Sequence, residues 1–160
     1  MDWLLEKATE LGASTLLPIT AERSVLKLKG ERSDKKLAHW QAIAVAASEQ
    51  CGRNRVLQVA PPLTLTQAIA AASNQVQCTR WILSLAEGTQ SLQNAISALP
   101  KPALGHAQDI VLLSGPEGGL SPSEEAEALA AGFLPVSLGL RVLRAETAPV
   151  AVLSAVGLLI

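Results

Sequence analysis

Residues 110–132 constrain the fold more tightly than any other stretch. The run Ile110-Val111-Leu112-Leu113 is short and continuously apolar. That pattern predicts a strand covered on both faces and central in its sheet. It runs into Ser114-Gly115-Pro116-Glu117-Gly118-Gly119, and then into Ser121-Pro122-Ser123-Glu124. The second tetrad is a capping box with proline at the first helical position, so a helix continues through EEAEALAA to Gly132. Strand, glycine turn and helix in that order form half of a crossover unit. A chain built on it belongs to the α/β class with a mainly parallel sheet flanked by helices.

The remaining sequence keeps the alternation. Helical apolar spacing over residues 2–11 stops at Gly12, a fitting C′ residue. Residues 15–20 read as a strand, with Pro18 favouring an edge or a bulge. Residues 35–51 form a helix with Leu37, Trp40, Ile43, Ala44 and Ala47 on one face, ended by Gly52. Strands at 55–59, 81–85 and 134–138 alternate with helices at 65–72 and 91–99, the latter closed by Pro100. A final Ala- and Val-rich helix spans 144–160. The chain opens inside a helix with no strand before it and closes on apolar Leu-Leu-Ile, so the expectation is a longer parent protein.

At 160 residues the chain is long enough for one domain that buries about two-thirds of its unfolded surface. No apolar run reaches the length of a membrane span, and the start lacks the pattern of a signal peptide, so a cytoplasmic location is expected. Cys51 and Cys78 are too few for a disulfide framework, and with His39 and His106 they give no metal-ligand spacing. His39, beside Trp40, reads as structural or exposed, and His106 as loop. With three Trp, one Phe and no Tyr, a base-stacking platform is not expected. The net charge of −1 hides an asymmetry. Residues 21–55 carry eight basic and four acidic side chains, whereas 117–127 carry four glutamates and no base. A local basic surface of that kind suits a polyanion.

The glycine loop does not fit the phosphate-binding patterns. No lysine follows Gly119, and Glu124 and Glu125 occupy the first helical turn, where a phosphate needs positive potential. A glycine-rich backbone offers N–H and C=O groups to an adenine edge and a ribose, and nearby carboxylates tolerate a cation. S-adenosylmethionine has that chemistry; a plain strand-to-helix turn is the alternative. A second loop, SLGLRVLRAETA at 137–148, follows the last strand. Arg144 and Thr147 are three apart and share a helix face. Two loops that each follow a strand of one parallel sheet open beyond its carboxyl edge, where ligands bind.

LLSGPEGGLSPSE and SLGLRVLRAETA resemble the two signature motifs of the SPOUT methyltransferases of the RsmE type, the 16S rRNA (uracil-N3)-methyltransferases. EKATELGAS, ITAERSV and SEQCGRNRV agree as well, so the resemblance covers nearly the whole chain. It implies a C-terminal deep trefoil knot, a homodimer, S-adenosyl-L-methionine as cofactor, and methylation of N3 of uridine 1498 in the small ribosomal subunit. It also implies that an N-terminal PUA-like domain and the first strand of the catalytic domain lie outside this chain. Carried over by motif, Leu113, Ser114, Gly115, Glu117, Gly118 and Gly119 form one wall of the cofactor pocket. Leu138, Gly139, Leu143, Arg144 and Thr147 form the other. Leu85, in the loop 83–87, completes it. Arg23, Arg53, Arg55 and Arg141 face RNA.

Two positions depart from the family pattern. Leu140 stands where proline usually follows the glycine, and Pro149 stands where a small or apolar residue is usual. Proline in a helix interior costs about 3 kcal/mol but little in the first turn, so the last helix is expected to begin near Ala148. For the chemistry, N3–H of uracil is a weak acid. Either Glu146 or Glu117 accepts its proton, or Arg144 or Arg141 stabilises the anion, and the arginine route is favoured because two arginines flank the second loop. A catalytically inactive RNA-binding or assembly module, and a methyltransferase acting on another RNA site, are the rival readings.

Overall fold

The computed structural model describes residues 1–24, 31–75, 78–100 and 109–158; His106, Leu159 and Ile160 lie outside them. In chain order the elements are α1 (Asp2–Glu10), β1 (Thr15–Leu16), β2 (Ile19–Thr20), α2 (Glu31–Cys51), β3 (Gln58–Val59), β4 (Leu63–Thr64) and α3 (Leu65–Ser73). There follow β5 (Cys78–Leu83), β6 (Gln90–Ser91), α4 (Leu92–Ser97), β7 (Asp109–Leu113), α5 (Pro122–Ala130), β8 (Leu134–Ser137) and α6 (Thr147–Gly157). Every described strand pairing is parallel. β1 pairs with β3, β2 with β4, and a four-stranded sheet has the order β6-β8-β5-β7. The expected α/β class with a parallel sheet is the one observed. No helix among the described residues is long and apolar enough to cross a membrane.

The two-residue period of a strand places helices on both faces of that sheet. Trp81 of β5 packs with Ala95 of α4, Val136 of β8 and Val152 of α6. The next residue, Ile82, faces the other way and packs with Leu65 and Ile69 of α3, Leu113 of β7 and Ala128 of α5. Both are essentially inaccessible to solvent, and burying a side chain of the size of Ile82 contributes roughly 1.5–3 kcal/mol. A third cluster joins α1, α2 and β3 through Leu5, Ala8, Trp40, Ala44, Leu57 and Val59. The apolar face predicted for the long helix is therefore the packed one.

Side chains replace backbone ladders where these elements meet. The Gln41 amide of α2 donates to Leu57 O at 2.9 Å and accepts from Val59 N–H at 2.9 Å, holding β3 against the helix. Arg80 donates to Ala72 O, Ser73 O and Gln75 O at 2.9–3.2 Å and closes the carboxyl end of α3. Asp2 accepts from the His39 and Trp40 rings at 3.0 and 3.2 Å. The hydrogen bond from His39 holds the Asp2 carboxyl below its ordinary range, so His39 has the structural, exposed position expected of it.

Several boundaries differ from expectation. The segment 15–20 is two short strands interrupted at Leu17-Pro18, because proline offers no N–H to a ladder. In the segment 55–59 only Gln58 and Val59 pair, while β5 begins at Cys78 and ends at Leu83, before Ser84 and Leu85. The long helix starts at Glu31 rather than Lys35, and β4 and β6 had no periodic signal at two residues each. The strand at 110–113, expected to be central, pairs only with β5 among the described strands. Val111 and Leu112 are accordingly only half-buried. The last helix begins at Thr147, which makes Pro149 its third residue, where the N–H has no intrahelical partner to lose. Cys51 is exposed and Cys78 half-buried, and both are free thiols.

Candidate functional site

Strand register brings the two glycine loops together. Ile82 is level with Leu113 on one side of β5, and Leu83 is level with Val136 on the other. The carboxyl ends of β7, β5 and β8 therefore reach the same edge of the sheet. Ser84 N–H extends the ladder by donating to Val136 O at 3.1 Å. The loops that leave β7 and β8 border one cavity of about 1640 Å3. Leu113, Ser114, Gly115 and Glu117 line it from the first loop, and Arg144, Glu146 and Thr147 from the second.

Local geometry dictates the glycines of the first loop. Gly119 N–H donates to Pro116 O at 2.8 Å, closing a turn over Glu117 and Gly118, and Gly119 itself has φ +69°. A Cβ at Gly115 would lie 3.0 Å from Leu120 N and 3.2 Å from Leu120 Cγ, so any larger residue there requires Leu120 to give way by a few tenths of an ångström. Beyond the turn the capping box forms as predicted. Ser121 Oγ accepts from Glu124 N–H at 3.4 Å, and Ser121 N–H donates to Glu124 Oε2 at 2.8 Å.

Both first-turn carboxylates face donors within the chain. Glu124 Oε1 accepts from Glu22 N–H at 2.8 Å. Burial pushes Glu124 up, but the N–H groups of Ser121 and Glu22, the Ser121 hydroxyl and Arg23 outweigh it and hold the carboxyl below its ordinary range. Glu125 accepts from the hydroxyl of buried Ser84, whose oxygen in turn accepts from Ala86 N–H at 3.0 Å. The loop after β5 is thereby tied to α5. The capping box was legible in the sequence, but the contacts to Glu22 and Ser84 carry no local signal, since 102 and 41 residues separate the partners.

The second loop is more open. Leu138 packs against the cluster of Trp81, Ala95, Val136 and Val152, Gly139 is exposed, and Leu140 and Val142 project into solvent, as does Leu85. Thr147 and Ala148 N–H both donate to Arg144 O, at 2.9 and 3.0 Å, turning the chain into α6. Among the described residues the ion pairs are Lys7–Glu10 and Asp2–His39. Arg144 and Glu146 thus line the cavity without pairing to each other. Arg141, Gly118, Gly119, Leu138, Gly139, Leu143 and Leu85 lie outside its lining.

The arginines expected to face RNA have different surroundings. Arg23 donates from Nη1 to Gly118 O at 3.0 Å. Arg53 Nη1 donates to Thr9 O at 2.6 Å and Ala13 O at 3.0 Å, and Nη2 to Gly12 O at 3.4 Å. Its charge caps the negative end of α1 and adds a donor to carbonyls at and just beyond that end, a structural role the sequence reading missed. Arg55 and Arg141 are exposed.

A family model described as an RNA methyltransferase domain matches residues 1–157. Among curated proteins, the Bacillus subtilis ribosomal RNA small subunit methyltransferase E is 35% identical over 98% of this chain and 60% of its own length. The Synechocystis protein of the same name is 38% identical over 98% of this chain and 48% of its own. The chain thus spans about half to three-fifths of these relatives. A Neisseria gonorrhoeae ribosomal RNA small subunit methyltransferase E, solved bound to S-adenosyl methionine, superposes with TM-score 0.84 at 37% identity, over 99% of this chain and 61% of that one. A Legionella pneumophila structure in complex with the bound cofactor SAM gives TM-score 0.86 at 33% identity, with the same coverage. The chain belongs to the RNA methyltransferase domain family, and it is similar to the RsmE-type ribosomal RNA methyltransferases.

Proposed function

We propose that this chain is the catalytic domain of an S-adenosylmethionine-dependent methyltransferase that acts on N3 of uridine 1498 in 16S rRNA of the small ribosomal subunit. The observation that carries the reading is the shared cavity: the two signature loops leave β7 and β8, the strands on either side of β5, and border the same space. The donor set fits the cofactor. Backbone of the first loop and the Ser114 and Thr147 hydroxyls suit an adenosyl group, and Glu117 and Glu146 tolerate a cation where a triphosphate would be repelled. Two structures that superpose on the chain hold this cofactor.

S-adenosylmethionine supplies an electrophilic methyl group on a sulfonium. The chain's own residues must then manage the N3 proton and the charge that its loss leaves on the uracil. Arg144 lines the cavity, is always charged, and has no carboxylate partner within 4 Å among the described residues. It stabilises the developing negative charge. Glu146, on the same wall, is the alternative proton acceptor. Methyl transfer to small-subunit RNA, measured at saturating cofactor, should fall at least a hundredfold in Arg144→Ala and less in Glu146→Gln. A near-normal rate in Arg144→Ala refutes the assignment, and the absence of cofactor uptake by the wild-type chain in calorimetry refutes the methyltransferase reading altogether.

The cavity is larger than the roughly 300–1,000 Å3 of an ordinary small-molecule site. Its wall includes the whole of β7 on one side and residues 13–20 on the other. Both contain strand segments, which supports a further parallel strand between them, and the greater length of the relatives supports a PUA-like RNA-binding domain outside this chain. The deep trefoil knot, a homodimer and a cytoplasmic location belong to the same reading. Leu158, 86% exposed at the end of α6, is the candidate dimer contact.

A further inference from the structure

The segment Ala21-Glu22-Arg23-Ser24 touches the first signature loop at two points, neither explained by RNA contact. Glu22 N–H donates to Glu124 Oε1 at 2.8 Å, and Arg23 Nη1 donates to Gly118 O at 3.0 Å. The arginine also lies flat on the loop: a Cβ at Gly118 would stand 3.3 Å from Arg23 Cβ and 3.6 Å from Arg23 Cδ. Gly118 is thus small because a side chain crosses it. The segment is itself fixed, with Ala21 buried, Ala21 N–H donating to Ser24 Oγ at 2.9 Å and Ser24 N–H to Ala21 O at 3.1 Å. Glu124 completes the circuit, because the same carboxylate holds Ser121 N–H at the start of α5. The loop between Pro116 and Leu120 is therefore held from α5 on one side and from the 21–24 turn on the other.

We propose that Arg23 and Glu124 form a clasp that sets the conformation of the 114–120 loop, so that Arg23 is a positioning residue for cofactor binding rather than a phosphate contact. This rests on the reading that the loop holds S-adenosylmethionine. The clasp acts at Gly118 and the start of α5, and the cofactor is met by Ser114, Gly115 and Glu117 a few residues before. Releasing one end lets the loop sample conformations that do not bind, and the apparent affinity falls by the fraction that remains competent.

Calorimetric titration with S-adenosylmethionine and amide hydrogen exchange over residues 114–121 test the clasp, on the wild-type chain, Arg23→Ala, Arg23→Lys and Glu124→Gln. The expected result for Arg23→Ala is about tenfold weaker binding (about 1.4 kcal/mol) and faster exchange confined to the loop. Its melting temperature should stay close to wild type, and Arg23→Lys should recover part of both losses. Glu124→Gln should show the losses of affinity and loop protection more weakly, since its amide oxygen still accepts, together with a lower melting temperature because it also weakens the capping box of α5. Unchanged affinity and exchange in Arg23→Ala overturn the proposal, as does a loss of RNA affinity with cofactor affinity intact. A wild-type chain that takes up no cofactor refutes the methyltransferase reading instead, and the exchange comparison then decides the clasp alone.

Discussion

Replacing Arg53 by alanine separates a structural role from an RNA contact. The guanidinium makes two part-buried bonds, to Thr9 O at 2.6 Å and Ala13 O at 3.0 Å, and an exposed one to Gly12 O at 3.4 Å. A hydrogen bond from a charged donor contributes about 1.5–3 kcal/mol when well buried. The two short bonds count at the low end, because water reaches part of the site, and the long exposed one is neglected. Rehydration of the carbonyls returns some of that, leaving a loss of about 2 kcal/mol. For a domain of this size, each kcal/mol shifts the melting temperature by about 2–4 °C. Arg53→Ala should therefore melt about 4–8 °C lower in differential scanning calorimetry, with or without RNA. Arg53→Lys, which loses the forked donor geometry, should fall between. A melting point within about 1 °C of wild type, accompanied by weaker RNA binding, would show that the capping argument is wrong.

Three further outcomes follow from the geometry. Gly115→Ala forces a Cβ to 3.0 Å from Leu120 N, so titration calorimetry should show at least tenfold weaker cofactor binding, and wild-type affinity would contradict the close approach. Trp81→Ala empties the layer between α4, α6 and β8, and denaturant unfolding should show a loss of about 3–5 kcal/mol; a loss below about 1 kcal/mol would mean that this layer does not hold the sheet. Glu124 has a carboxyl pKa below its ordinary value in the folded state, so its contribution is complete above the unfolded value of about 4.3 and disappears as pH falls through the folded one. The gap in melting temperature between wild type and Glu124→Gln should stay constant from pH 7 to about 5 and close below about 4. A gap that widens on acidification would reverse the assigned sign.

Much of the architecture was legible before any coordinates, because it is written in local patterns. Ser121-Pro122-Ser123-Glu124 specifies a helix start through contacts three residues apart, and the helix starts there. The face carrying Trp40, Ala44 and Ala47 repeats at helical spacing and is the buried one. Pro149 is tolerable only in a first turn, and the turn into α6 obeys that. That the two loops leave the same edge followed from strand polarity, since parallel strands of one sheet end on one side. What local pattern cannot carry is the partner of a long side chain. Arg23 and Arg53 look alike in sequence, as basic residues in a basic stretch, yet one lies across Gly118 and the other caps α1. Their roles depend on which carbonyls come within about 3 Å once segments dozens of residues apart have packed. The position of β7 in its sheet is likewise a matter of long-range pairing, since an apolar run reports that a strand is covered without reporting by what. Composition and spacing set the elements and their order, and the assignment of charge to structure or to chemistry had to wait for the folded chain.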